Sequence, residues 1–120
     1  MKLSDQVCSL EIAKRLKELG VKQESLFYHT TDLEKIIVDA DIYRACPDEV
    51  FYSAYTVAEL GEILRRFRKP DIWVEPGGNT SDGKWIFYSG TPIESDTEAD
   101  ARGKMLIHLL EQGLIKASDL

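Results

Sequence analysis

Between Leu10 and Leu19, apolar residues recur at Ile12, Leu16 and Leu19, while Lys14, Arg15, Lys17 and Glu18 occupy positions between them. That i, i+4, i+7 spacing predicts an amphipathic helix. The Ser9 hydroxyl suits its amino end, Glu11 suits the positive end of its dipole, and Gly20 supplies the left-handed residue that stops it. Ser25-Leu26-Phe27-Tyr28-His29-Thr30 is aromatic-rich without helical period and reads as a strand. Leu33 to Ala40 carries the β-branched run Ile36-Ile37-Val38 and is assigned to a strand, although Asp32 could equally cap a short helix from Leu33. Cys46-Pro47-Asp48-Glu49 reads as a turn, and Val50 to Tyr55 as another strand.

Thr56-Val57-Ala58-Glu59 has the form of a capping box, followed by one apolar stripe of Val57, Leu60, Leu64 and Phe67 and by Pro70, which stops the helix. Ile72-Trp73-Val74 and Lys84-Trp85-Ile86-Phe87-Tyr88 then flank Pro76-Gly77-Gly78-Asn79 and Ser81-Asp82-Gly83, which predicts a hairpin with a long tip. Its glycines make Asn79 to Ser81 the expected mobile docking element. Ser95 with Glu98 forms a second capping box, and Ala101, Met105, Leu106, Leu109 and Leu110 give the last helix a broad apolar face ending near Gly113. The tail from Lys116 is expected to fray. The fold class expected is α+β: one domain over residues 1–120, with a mostly antiparallel sheet of about four strands and three helices packed chiefly on one face. The other face would be open to water or to a partner.

Composition narrows the class. With 120 residues, 43% hydrophobic and 30% charged, the chain has the makeup of a single folded domain. Cys8 and Cys46 have no metal-ligand spacing, so both are expected as buried thiols in a reducing compartment, with neither zinc nor a disulfide. No apolar run is long enough for a membrane span, and Met1 to Gln6 lacks the apolar stretch of a signal peptide, so the expected location is the cytoplasm. The net charge of −6 opposes general attraction to phosphate backbones, so nucleic acid is not the expected partner.

Four blocks, Val7-Cys8-Ser9-Leu10-Glu11, Leu16 through Tyr28, Thr56 through Glu62 and Thr97 through Arg102, occur together in this order. In them the chain resembles a family of small uncharacterised proteins carried by phages and integrated mobile elements of gut bacteria. The resemblance implies a mobile-element origin and carries over no activity or functional residue.

Three constellations could carry function. Tyr28-His29-Thr30-Thr31-Asp32-Leu33 is similar to the strand-borne His-x-Thr element with which some ADP-ribosyltransferase-like enzymes hold a nicotinamide cofactor, since a histidine and a hydroxyl at i and i+2 share a strand face. No other cofactor-holding element accompanies it, so a strand-end histidine is the primary reading and the expected catalytic residues and cofactors are none. His108 has no metal-ligating residue one helical turn away, and no metal site is expected. Arg65, Arg66, Arg68 and Lys69 are candidate phosphate contacts, explained first as cations favoured at a helix carboxyl end. The aromatics supply the third. Trp85 and Tyr88 should point to opposite sides of a strand, so Tyr28, His29, Trp73, Trp85 and Tyr88 are the candidate recognition surface, explained first as aromatics absorbed by the core, the hairpin ends and helix packing. The leading expectation is a non-enzymatic binding or accessory module with a protein partner. The alternatives are a nucleotide- or ADP-ribose-handling enzyme using His29 and a nucleic-acid binder using Arg65, Arg66 and Arg68.

Overall fold

The computed structural model describes residues 2–30, 37–46, 50–66, 75–79, 83–89 and 91–120, with the backbone alone described at 75–79, 87–89 and 91. The order of elements is α1 (Leu3–Gln6), α2 (Leu10–Glu18), β1 (Phe27–Thr30), β2 (Ile37–Asp39), α3 (Ala40–Ala45), β3 (Phe51–Ser53), α4 (Val57–Arg65), β4 (Glu75–Asn79), β5 (Trp85–Ser89), β6 (Thr91–Ser95), α5 (Glu98–Glu111) and the 3-10 turn η1 (Ala117–Asp119). The class is α+β with antiparallel strand pairing throughout these residues.

The amino ends of the long helices are set by local chemistry. Ser9 accepts from the Ile12 amide at the start of α2, and Gly20 leaves that helix at φ +91°. At α4 the Thr56 hydroxyl accepts from the Glu59 amide (3.1 Å) while the Glu59 carboxylate accepts from the Thr56 amide (3.0 Å), completing the expected capping box. The box expected at Ser95 is displaced: Ser95 ends β6, and Thr97 caps α5 by accepting from the Asp100 amide. The two hydroxyls are two residues apart, and Thr97 is the one that directly precedes the first helical residue, Glu98, where a cap must stand to reach the third amide.

A single sheet of about four strands is not what the described residues form. They make two three-stranded antiparallel sheets, β2-β1-β3 and β4-β5-β6. In the first, Tyr28 faces Val38 and Ser53 across its neighbours, and His29 faces Ile37 and Tyr52. One face carries Tyr28, Val38 and Phe51 under Tyr43 and Cys46 from α3 and its end; on the other, Tyr52 packs against the main core beside α2. Both faces of this sheet are therefore covered, and the open face expected from two-layer packing is absent from it. In the second sheet, Trp85 and Ile93 pack on the helical core while the alternate residues Pro92 and Glu94 are exposed.

The glycine-rich hairpin differs most from expectation. Glu75 through Asn79 is itself strand, closing on Trp85 at Asn79, with a register shift between Pro76 and Gly78 that marks a bulge. Local composition favours a turn there, but a bulge at an edge strand accommodates proline and glycine equally well. Asn79 is thus part of the ladder; Thr80 to Asp82 and Ile72 to Val74 lie outside the described residues, as do Phe67, Pro70 and the turn at Pro47-Asp48-Glu49. The strand expected over Leu33 to Ala40 is observed at Ile37–Asp39, and Asp39 then caps α3 through the Ile42 amide (3.1 Å). The tail is held by η1 rather than frayed over its whole length.

The main core joins Ile12 and Leu16 of α2, Leu60 and Leu64 of α4, and Met105, Leu106 and Leu109 of α5. Two glycines allow the helices their close approach. A Cβ at Gly103 would stand 2.5 Å from Ile12 Cγ2, and one at Gly61 would strike the Arg102 guanidinium, which reaches over α4 to donate to the Val57 carbonyl (2.9 Å) and to Glu98 (3.1 Å). No helix of the described residues is long and apolar enough to cross a membrane.

Candidate functional site

Of the expected recognition surface, the structure describes the side chains of Tyr28, His29 and Trp85. Tyr28 is 3% exposed; its ring stacks on Tyr43 at 4.0 Å, and its hydroxyl donates to the Gln23 carbonyl (3.1 Å) and accepts from the Ser25 amide (3.2 Å). His29 is 7% exposed, so neither residue presents a side chain to a partner. Trp85 is half-buried against the helical core on the other sheet, the backbone of Tyr88 pairs with Pro92 in β5 and β6, and Trp73 lies outside the described residues. Sequence alternation placed an exposed face on these strands because it assumed one helical layer; α3 supplies the second cover.

The enzyme reading needs an accessible histidine. The His29 Nε2 lies 2.6 Å from the Cys8 carbonyl, an acceptor, so it carries a proton and donates. Burial lowers the imidazole from its usual 6.5, opposed by that carbonyl and by the Asp100 charge. Asp100 itself accepts from the Ser9 amide (2.6 Å) and holds the strap before α2. Cys8 is fully buried, burial pushes its thiol up to about 12, and its sulfur faces the Ser53 carbonyl at 3.9 Å rather than the imidazole. A nucleophile needs the reverse, a lowered pKa and a base within reach. Cys46, expected buried, is half-buried; both cysteines are free. Among the described residues no group of three His, Cys, Asp or Glu side chains could hold a metal ion.

Of the basic cluster, the structure describes Arg65 and Arg66. Arg65 is held by both oxygens of Glu62 (2.9 and 2.8 Å), Arg66 turns to a cleft, and Arg68 and Lys69 lie outside the described residues.

The cleft that takes Arg66 is built by a segment that sequence periodicity passes over. After Gly20 the chain turns back, the Val21 amide bonds to the Leu16 carbonyl (3.0 Å), and the buried Val21 side chain fixes the turn in the core. Gln23 ties the following residues to the sheet: its side-chain carbonyl accepts from the Ser53 amide (2.8 Å) and its amide donates to the Val21 carbonyl (3.0 Å). Tyr55 donates to the Lys22 carbonyl, and burial pushes its phenol up to about 12, so it remains a donor. Residues 21–25 thereby form a fixed wall facing α4.

Between this wall and α4 lies a cleft of about 470 Å³, floored by Val21, Tyr55, Ile63 and Leu120. Its rim carries Lys22, Glu24, Glu59, Glu62 and Arg66. The acids at α4 are already engaged: Glu59 takes the Thr56 and Leu26 amides, and Glu62 takes Arg65. The side chains of Lys22 and Arg66 make no hydrogen bond or ion pair among the described residues. On its other side the same wall borders a second concavity of about 700 Å³ with Tyr43 and Arg44, where Arg44 is held by Asp41 at 2.9 Å. The signal for this site in the sequence is weak, because Lys22-Gln23-Glu24 is ordinary loop composition and the role of Tyr55 depends on a contact 33 residues away. Compared with known proteins, the chain matches no protein-family model, no curated protein and no solved structure.

Proposed function

We propose that this protein is a non-enzymatic binding module that takes a segment of a partner protein into the cleft between residues 21–25 and α4. The observation that carries the reading is the cleft itself: a fixed apolar floor of Val21, Tyr55, Ile63 and Leu120 beside two cations, Lys22 and Arg66, that the described residues leave without partners. An apolar floor anchors one large side chain, and the two cations select a neighbouring carboxylate. The occupant that satisfies both is a peptide segment with an aromatic or aliphatic anchor next to an aspartate or glutamate. Preformed walls reduce the ordering cost of binding, which favours this rigid cleft over the glycine-containing hairpin as the docking element.

Further support comes from what the interior does with its reactive groups. His29 and Cys8 are enclosed and bonded to backbone carbonyls, an arrangement suited to joining the strap to the sheet rather than to turnover. A cytoplasmic location is part of the proposal, supported by two unpaired thiols. So is a mobile-element setting in which the partner is a host or phage protein, supported by the sequence blocks alone.

Selection from a random peptide library on the immobilised protein tests the reading. Enriched peptides should pair an apolar anchor with an acidic residue and lose affinity for a Lys22→Glu/Arg66→Glu variant. Enrichment of basic peptides, or equal binding by that variant, contradicts it.

A further inference from the structure

A second charged feature lies away from the cleft, on the exposed side of α2. Lys14 and Lys17, three residues apart, bring their ammonium nitrogens to 5.8 and 4.8 Å from the centroid of the same ring, that of Tyr52 in β3. Cation–π attraction favours each ammonium at such a distance, while the two like charges repel one another, a repulsion that an anion between them would offset. The other cations of this region are neutralised: Arg15 reaches Glu18 at 3.2 Å and Glu111 at 3.7 Å. Lys14 and Lys17 have no carboxylate partner among the described residues, and Glu11, one turn before Lys14, is not within ion-pair distance of it.

Lys17 is also held in place. Its ammonium donates to the Phe51 carbonyl (3.2 Å) on the outer edge of β3, so one proton is fixed and two remain to donate. Tyr52 is half-buried, which fixes its ring, and its hydroxyl makes no hydrogen bond among the described residues. The Lys14 ammonium, the two remaining Lys17 protons and the Tyr52 hydroxyl are thus donors around one ring for which the described residues supply no acceptor.

We infer that Lys14, Lys17 and the Tyr52 hydroxyl bind a single phosphoryl group, as carried by a small phosphomonoester. A phosphoryl dianion offers three strong acceptor oxygens and the charge that two ammoniums lack. A nucleic-acid backbone fits less well. It needs a track of cations, whereas Arg15, Arg44 and Arg65 are each held by a carboxylate and the chain carries a net charge of −6.

The test is an NMR titration with inorganic phosphate at constant ionic strength, with chloride as the balancing anion. Saturable shifts are expected at Lys14, Lys17 and Tyr52. The exposed Lys14→Glu substitution, which leaves the Lys17 bond to Phe51 intact, should weaken binding by at least about tenfold. Tyr52→Phe, which keeps the ring and removes the hydroxyl, should weaken it less. Equal shifts in chloride alone, or unchanged binding in Lys14→Glu, overturn the site. A single-stranded oligothymidylate is the comparison: binding of the oligonucleotide without response to inorganic phosphate overturns the assignment to a single phosphoryl group.

Discussion

The imidazole of His29 joins β1 to the strap before α2 through one hydrogen bond, and that bond is available to the neutral ring. A charged ring would be poorly solvated there, which is why burial lowers its pKa from 6.5. The sign for stability follows. A depressed folded-state value means the unfolded chain takes the proton first, so this contribution is complete above pH 6.5 and is lost as pH falls below it toward the folded-state value. Urea denaturation across that range should show stability declining with acid, and His29→Gln, whose amide can still donate to the Cys8 carbonyl, should reduce the slope. The cysteines give a second prediction. Iodoacetamide should modify half-buried Cys46 in the native protein and reach Cys8 only on unfolding, because Cys8 is enclosed and its thiol pushed up to about 12. Mass spectrometry of the labelled protein checks this; early labelling of Cys8 would mean that the strap opens without global unfolding.

Among the elements, the crossing of α2 over α5 is the most exacting. Gly103 faces Ile12, which is buried and has no room to retreat from an added methyl group. Gly103→Ala gains up to about 1 kcal/mol of helix propensity, but overpacking costs about 1–3 kcal/mol, and the immobile neighbour puts the cost in the upper part of that range. A net loss of ~1–2 kcal/mol in a urea melt is expected. Thr56→Ala removes one half of the α4 capping box and should cost about 1 kcal/mol. These elements also separate what could be read in the sequence from what could not. Ser9, Gly20 and the Thr56-Glu59 pair act on amides within a few residues, so their roles are visible locally. The bulged strand at Glu75–Asn79 exists through pairing with β5, and α3 begins at Ala40, directly after the strand that carries the β-branched pair Ile37-Val38, so local pattern misreads both.

For the molecule as a whole, the order of contacts runs from the first sheet through α2 and α5 to the second sheet. Among the described residues the aromatics are accordingly shared between two sheets, Tyr28, Phe51 and Tyr52 on the first and Trp85 on the second. The α+β class and the three long helices were legible because periodicity reports which face of a segment is buried. The cleft was not, since it arises where the Val21–Ser25 segment, Tyr55 and α4 converge, and no repeat or motif records that meeting. Its floor and the two cations that the described residues leave without partners are the basis of the binding proposal. The most direct measurement is a two-dimensional NMR titration of the labelled protein with an acidic–apolar peptide recovered by selection. Binding in the cleft should move Val21, Lys22, Tyr55, Ile63 and Arg66 together, with His29 and Cys8 unchanged. Shifts centred on His29 and Cys8, with the cleft residues unmoved, would contradict the account.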